Sequence, residues 1–288
     1  MLKKVKCLKF NQTAHAQRQS SEQSETETET ETETEDVVVK EEPLSITING
    51  RHYVTAMISP QMKKEFVIGH LFAEGIIKSI DEIESLQVED DSNTANLLIT
   101  HPLKVLAARK IIVSGCGTGT SFLDESKLPK IQIQIQSGSA VKIDSGHIIA
   151  AVKSILHSQV HDLTGGLHLV GLFERNNHEN RVDKYASVCI VEDIGRHNAL
   201  DKVIGYGLLR EIDFEKTYVA CTGRISSEMV LKSSVANIPL LASRGATTSL
   251  AIELAEHTGL CICGFVRGGR MNVYTHAERV NLAPTART

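Results

Sequence analysis

Two hydrophobic periods divide this chain. In the first half, apolar positions mostly recur every second residue. Ser45–Asn49 alternates, Asn49-Gly50 supplies a hairpin turn, and Tyr53–Ile58 reads as the returning strand. Lys63–Ile77 is the exception: Phe66, Val67, Leu71 and Phe72 fall at helical spacing, with Gly75 near the end. Leu86–Val88, Asn96–Thr100 and Ile111–Val113 read as strands, and Ile131–Gln136 alternates strictly, giving one apolar and one polar face. This half predicts a small strand-rich lobe.

From Asp144 the period lengthens. Ile148, Ile149, Val152, Ile155, Leu156 and Val160 mark a helix stopped by Thr164-Gly165-Gly166. Strands follow at Leu167–Phe173 and Ser187–Val191, and a helix opening near Gly195 carries Leu200, Val203 and Ile204. Next come strand Tyr218–Cys221, helix Ser227–Val235, strand Ile238–Ala242, helix Thr248–Glu256, and strands Leu260–Val266 and Met271–Tyr274. Strands alternating with helices at this spacing imply β-α-β units with right-handed crossovers, an α/β architecture. There is no internal repeat.

Ahead of both halves, Ser24–Asp36 alternates Glu with Thr. It offers nothing apolar to bury and repels itself, so disorder is expected over residues 1–36. This leader reads as a solvated low-complexity segment or as an acidic docking tail. The expected organisation is therefore the leader, a lobe over 37–135, and an α/β domain over 136–288.

Composition narrows the classes. A chain of 288 residues is long enough to bury a sizeable core without disulfide or metal staples. With 41% hydrophobic residues, 4% aromatic and no Trp, that core must be aliphatic. Residues 1–36 carry −3 of the net charge of −4, so the remainder is nearly neutral and a broad nucleic-acid-binding face is disfavoured. The six cysteines, Cys7, Cys116, Cys189, Cys221, Cys261 and Cys263, show no framework spacing, as expected of free thiols in a reducing, cytoplasmic compartment. No apolar run is long enough for a membrane span, and the first ten residues lack the apolar core of a signal peptide.

Chemistry concentrates in two places. Ser114-Gly115-Cys116-Gly117-Thr118-Gly119-Thr120 sets one cysteine among three glycines directly after an apolar run. Such surroundings leave a thiol uncrowded and able to reach another molecule; they also suit a plain glycine turn. The second place is a set of strand ends. Ser187–Val191 runs into Glu192-Asp193-Ile194-Gly195-Arg196-His197-Asn198, Tyr218–Cys221 into Thr222-Gly223-Arg224, Ile238–Ala242 into Ser243-Arg244-Gly245, and Leu260–Val266 into Arg267-Gly268-Gly269-Arg270. Each end delivers a glycine and an arginine. Ligands of open α/β sheets bind outside the carboxyl ends of strands, and a guanidinium fork suits phosphate oxygens, so these loops are expected to form one anion-binding rim. Glu192, Asp193, His197 and Asp201 make a dense polar group at one helix start. Asp201 lies one turn beyond His197 and is expected to orient its imidazole, either for acid–base work or as part of a structural network. Cys261 and Cys263 share one face of a strand and read as core. His276-Ala277-Glu278 has the form of a zinc-deaminase ligand motif, but no Pro-Cys-x-x-Cys follows it, so no metal site is expected.

These residues resemble the FdhD/NarQ family, accessory sulfurtransferases of formate dehydrogenase. The matching segments are Glu41-Glu42-Pro43-Leu44, Gly69–Ile77, Thr164–His168, Glu192–Lys202, Thr222-Gly223-Arg224 and Gly264–Tyr274. The resemblance implies a cytidine-deaminase-like three-layer larger domain without the zinc, and a homodimer. It implies a sulfurtransferase that passes persulfide sulfur from a cysteine desulfurase to the molybdenum or tungsten bis-guanine-dinucleotide cofactor of the formate dehydrogenase catalytic subunit. The sulfur carrier would be Cys116. The cofactor segment would be Phe265, Val266, Arg267, Gly268, Gly269 and Arg270, joined by Arg196, His197, Arg224 and Arg244 from the rim. The family's loop reads Cys-Gly-x-Cys, whereas this chain has Cys116-Gly117-Thr118-Gly119, with one thiol in place of two. A chaperone that holds the cofactor without moving sulfur is the alternative.

Overall fold

The computed structural model describes residues 1–15, 26–100, 135, 142–175 and 185–282. Cys116 and its loop, and most of the strand expected at Ile131–Gln136, lie outside the described residues. Ile135 is described: it is buried, and its N–H donates to the Thr258 carbonyl at 2.8 Å.

The first unit is a ribbon of β1 (Leu2–His15) and β2 (Thr26–Val39), paired antiparallel from Leu2↔Val39 to His15↔Thr26. This departs from the disorder expected of the leader. The expectation considered the Glu-Thr run alone, whereas the structure sets it against the lysine-rich start of the chain. Thr is a good strand former, and Lys6 stands directly opposite Glu35. Lys4 also reaches Glu35, at 3.7 Å, an exposed pair that adds little. The base of the ribbon is closed by the Lys40 N–H donating to the Met1 carbonyl at 2.7 Å.

The second unit is a four-stranded sheet in the order β4-β3-β6-β5, from β3 (Glu42–Ile48), β4 (Arg51–Ile58), β5 (Ile83–Glu89) and β6 (Thr94–Ile99). Between β4 and β5 runs α1 (Lys63–Ala73). The alternation of β3 puts Leu44, Ile46 and Ile48 into a core shared with Phe66, Val67 and Leu71 of α1. The helix stops earlier than the expected Ile77.

The third unit is a six-stranded mixed sheet with helices on both faces. Its elements are β7 (Ile143–Asp144), α2 (Ser145–Ser154), α3 (Gln159–Thr164), β8 (His168–Arg175), β9 (Tyr185–Asp193), α4 (Arg196–Leu208), β10 (Thr217–Cys221), α5 (Ser227–Val235), β11 (Leu240–Ser243), α6 (Ser249–Thr258), β12 (Cys261–Arg267), β13 (Arg270–Val273) and β14 (Val280–Asn281). The short β7 and β14 pair with each other, and the large sheet runs β13-β12-β11-β10-β8-β9. Only β10, β11 and β12 are mutually parallel neighbours; β8 is antiparallel to both β9 and β10. Alternate residues divide between two cores. Leu169, Phe173, Tyr218, Ala220, Cys261 and Cys263 face α2, while Val170, Leu172, Val219, Leu241 and Ile262 face α4, α5 and α6. The result is the expected three-layer α/β arrangement, with the strand-rich lobe beside it. Cys261 and Cys263 lie in the α2-side core.

Two features join the small sheet to the large one. Helix α1 turns its apolar side to the small sheet and its Gly69 side to α4. A Cβ added at Gly69 would fall 1.8 Å from the Asp201 carbonyl oxygen, and one at Gly205 would fall 1.9 Å from that of Glu65. The second feature is a buried polar knot. Asp193 and Lys202, both fully buried, pair at 2.6 Å. Asp193 also accepts from the N–H groups of Ser59 and Gly195 at 3.0 and 2.8 Å, and Lys202 donates to the Ser59 carbonyl at 3.0 Å. The end of β4 is thereby tied to the turn between β9 and α4.

Candidate functional site

Sheet direction decides where the arginine loops lie. Strand β9 is antiparallel to β8, and β8 is antiparallel to β10, so β9 points the same way as β10, β11 and β12. All four carboxyl ends open on one edge of the sheet, together with His168 at the start of β8. Backbone bonds lace the loops to one another. The Arg244 N–H donates to the Cys221 carbonyl at 3.1 Å, and the Phe265 N–H donates to the Gly245 carbonyl at 2.9 Å. Ser243 Oγ donates to the Gly223 carbonyl at 2.6 Å and accepts from the Gly245 N–H at 2.9 Å. A bound anion would therefore meet a fixed rim.

Arg224, Arg244, Arg267 and Arg270 are exposed on this rim, and Arg196 is half-buried. Gly223 makes room for Arg196: a Cβ there would lie 3.1 Å from Arg196 Cβ and 3.2 Å from His168 Nδ1. Burial, then the neighbouring Arg196, lowers the His168 imidazole, so the ring adds no positive charge at neutral pH. The segment expected to meet the cofactor, Phe265 to Arg270, folds as a hairpin tip. Gly268 and Gly269 take φ of 58° and 76°, conformations that glycine adopts without strain, and the tip sets Arg267 directly opposite Arg270. Phe265 takes φ of 52° at a bulge in β12, and the Arg267 guanidinium sits 5.5 Å above its ring. Val266 turns its side chain into the core, so only its backbone can face a ligand.

The polar group at the start of α4 is divided differently from expectation. Asp201 does not orient His197. It binds Lys232 of α5 at 2.7 Å and His70 of α1 at 3.1 Å. One helical turn separates Asp201 from His197 in sequence, but Asp201 faces the interior, where Lys232 supplies the buried cation it needs. Burial favours the neutral acid, yet Lys232 and His70 hold the Asp201 carboxyl below its usual range. Burial alone would lower the Lys232 ammonium, but Asp201, Glu74 and Glu228 raise it instead. His197 has other partners: its Nε2 lies 2.9 Å from Ser226 Oγ and its Nδ1 3.3 Å from Glu228 Oε2. Burial, with Arg196 and Lys232 nearby, pulls its pKa down to about 3, so the ring is neutral.

Sequence reasoning missed Ser226, Glu228, Lys232 and His70. No local signal links residues 29 or 131 positions apart, as His197 with Ser226 and His70 with Asp201 are. Among the described residues there is no cluster of three or more His, Cys, Asp or Glu that could hold a metal ion. Also among them, no helix is long and apolar enough to cross a membrane.

Known proteins match this arrangement along almost the whole chain. The chain is 36% identical over 251 residues to the sulfur carrier protein FdhD of Wolinella succinogenes, covering 86% of this chain and 83% of that protein. It is 35% identical over 251 residues to the sulfur carrier protein FdhD of Bacillus pumilus, covering 85% and 90%. A crystal structure assigned as a formate dehydrogenase accessory protein from Desulfotalea psychrophila superposes with a TM-score of 0.68 at 25% identity, covering 95% of this chain and 99% of that one. The FdhD/NarQ family pattern matches residues 39–281, which takes in both sheets and every strand-end loop of the rim. With that pattern over most of its length and relatives above 30% identity, the chain belongs to the FdhD/NarQ family.

Proposed function

We propose that this protein is a sulfur carrier serving formate dehydrogenase. It takes persulfide sulfur from a cysteine desulfurase onto Cys116 and passes it to a molybdenum or tungsten bis-guanine-dinucleotide held on the arginine rim. In the loading step, the Cys116 thiolate attacks the terminal sulfur of the donor persulfide. The new S–S bond forms as the old one breaks, the donor cysteine leaves as a thiolate, and no external oxidant is required. One observation carries the ligand half of this reading: four strand ends open on one edge, each bringing an arginine, and the loops after β10, β11 and β12 are bonded to one another. A pyrophosphate-bearing ligand matches that rim, since each charged contact to a phosphate is stronger than a neutral hydrogen bond. The carrier half is supported by the relatives' designation as sulfur carriers.

The test is intact mass after incubation with a cysteine desulfurase and cysteine. The natural chain should gain one sulfur, about 32 Da, and lose it to dithiothreitol. Cys116→Ala should gain none. A second reading draws support from Gly119, which stands where the family's loop has its second thiol: a chaperone that holds the dinucleotide and moves no sulfur. If the natural chain gains no sulfur, that reading replaces the first.

A further inference from the structure

Ser226 occupies the N-cap of α5, where a serine oxygen ordinarily accepts a helix N–H, yet its side chain makes no such bond. Its Oγ is turned to His197 Nε2 at 2.9 Å. His197 Nδ1 faces Glu228 Oε2 at 3.3 Å, and the other Glu228 oxygen lies 3.9 Å from the Lys232 ammonium. The hydrogen-bond network assigns the ring proton to Nδ1, where it points at the carboxyl oxygen. Nε2 is then an acceptor, and the Ser226 hydroxyl donates to it.

The same three groups would activate a serine nucleophile in a hydrolase. That chemistry requires the imidazole to take up the serine proton. Arg196 and Lys232 lie close by, and both they and burial oppose a positive ring. What remains is a hydroxyl of fixed polarity, two residues past Arg224, on the rim loop that leads into α5.

We propose that Ser226 is a specificity residue of the rim: His197 holds its proton, so its oxygen meets a ligand as an acceptor only, favouring a ribose hydroxyl or a purine 2-amino group over a phosphate oxygen. This rests on the reading of the rim as a nucleotide site. The arginines recognise the charge of the ligand, and Ser226 recognises a donor beside it. His197 and Glu228 are positioning residues in this scheme.

Calorimetry with guanosine diphosphate, its 2′,3′-dideoxy analogue and inosine diphosphate tests it. Ser226→Ala removes no helix cap, so the variant should fold. It should bind guanosine diphosphate about three- to tenfold more weakly, the worth of one neutral hydrogen bond. The loss should vanish with the dideoxy analogue if the donor is a ribose hydroxyl, or with inosine diphosphate if it is the 2-amino group. A loss that persists with both, or no loss at all, overturns the inference while leaving the nucleotide reading intact. Failure of the natural chain to bind any of the three overturns both. Nitrogen-15 spectra of the His197 ring should show Nε2 without a proton; a protonated Nε2, or labelling of Ser226 by a fluorophosphonate, also overturns it.

Discussion

Gly69 of α1 and Gly205 of α4 meet backbone to backbone. A Cβ added at Gly69 would lie 2.7 Å from the Gly205 nitrogen, and one added at Gly205 would lie 2.9 Å from the Gly69 nitrogen. Each would come closer still to a carbonyl oxygen of the facing helix. Neither neighbour is a side chain that could swing away. Gly69→Ala and Gly205→Ala should therefore each destabilise the fold by more than about 3 kcal/mol, beyond the usual cost of overpacking, measured by urea denaturation. Gly146→Ala, with open space around the added carbon, is the control and should cost under about 1 kcal/mol.

The neutral His197 sets a pH dependence. In the unfolded chain the ring titrates near 6.5, while in the fold its pKa is about 3. Between those values the unfolded state binds the extra proton. Stability from this residue is full above about 6.5 and falls as the pH drops toward 3, by up to about 1.4 kcal/mol per pH unit. His197→Gln should flatten the stability profile between pH 6 and 4 relative to the natural chain, as read from denaturation midpoints. A variant with an unchanged slope would show that the ring is charged in the fold.

The Asp193–Lys202 pair should act as a unit. Lys202→Met leaves the Asp193 carboxyl buried without its cation and should cost about 3–5 kcal/mol. Adding Asp193→Asn to that variant should cost less than the two single losses together, because the stranded charge is gone. Denaturation of the four proteins closes the cycle.

Rim binding should be salt-sensitive and local. Arg267→Ala should weaken guanosine diphosphate about tenfold at low salt, with a smaller difference near 1 M salt, where screening shortens to about 3 Å. Calorimetry at two salt concentrations gives the comparison.

Much of this was legible in the sequence because period reports on burial. The alternation in β3 and the apolar stripe of α1 reflect two faces of one core, and every strand of the large sheet lies within a few residues of its expected place. Convergence of the arginine loops was legible too, since it needed only the order and direction of the strands. The pairings of Asp201 and His197 were not. Each ring and carboxylate chose among partners brought in by different helices, and sequence spacing cannot rank them. The α1–α4 contact left a trace: a glycine inside each helical run, costly by propensity, is a sign that another backbone passes close by. The pairing of the leader is not legible in its acidic half alone, because the lysines that partly offset that charge lie on the other strand of the ribbon.

The hairpin tip of β12 and β13 sets two arginines, Arg267 and Arg270, at directly paired backbone positions. Like charges so placed repel, and the glycine turn holds them there. In the ligand-free protein this is a small, permanent source of tension at the sheet edge. A dianion settling between the two arms would relieve it. The tip is thus loaded in advance: phosphate binding should steady the hairpin as well as occupy it, slowing amide exchange at Asn272 and Val273 before any sulfur has moved.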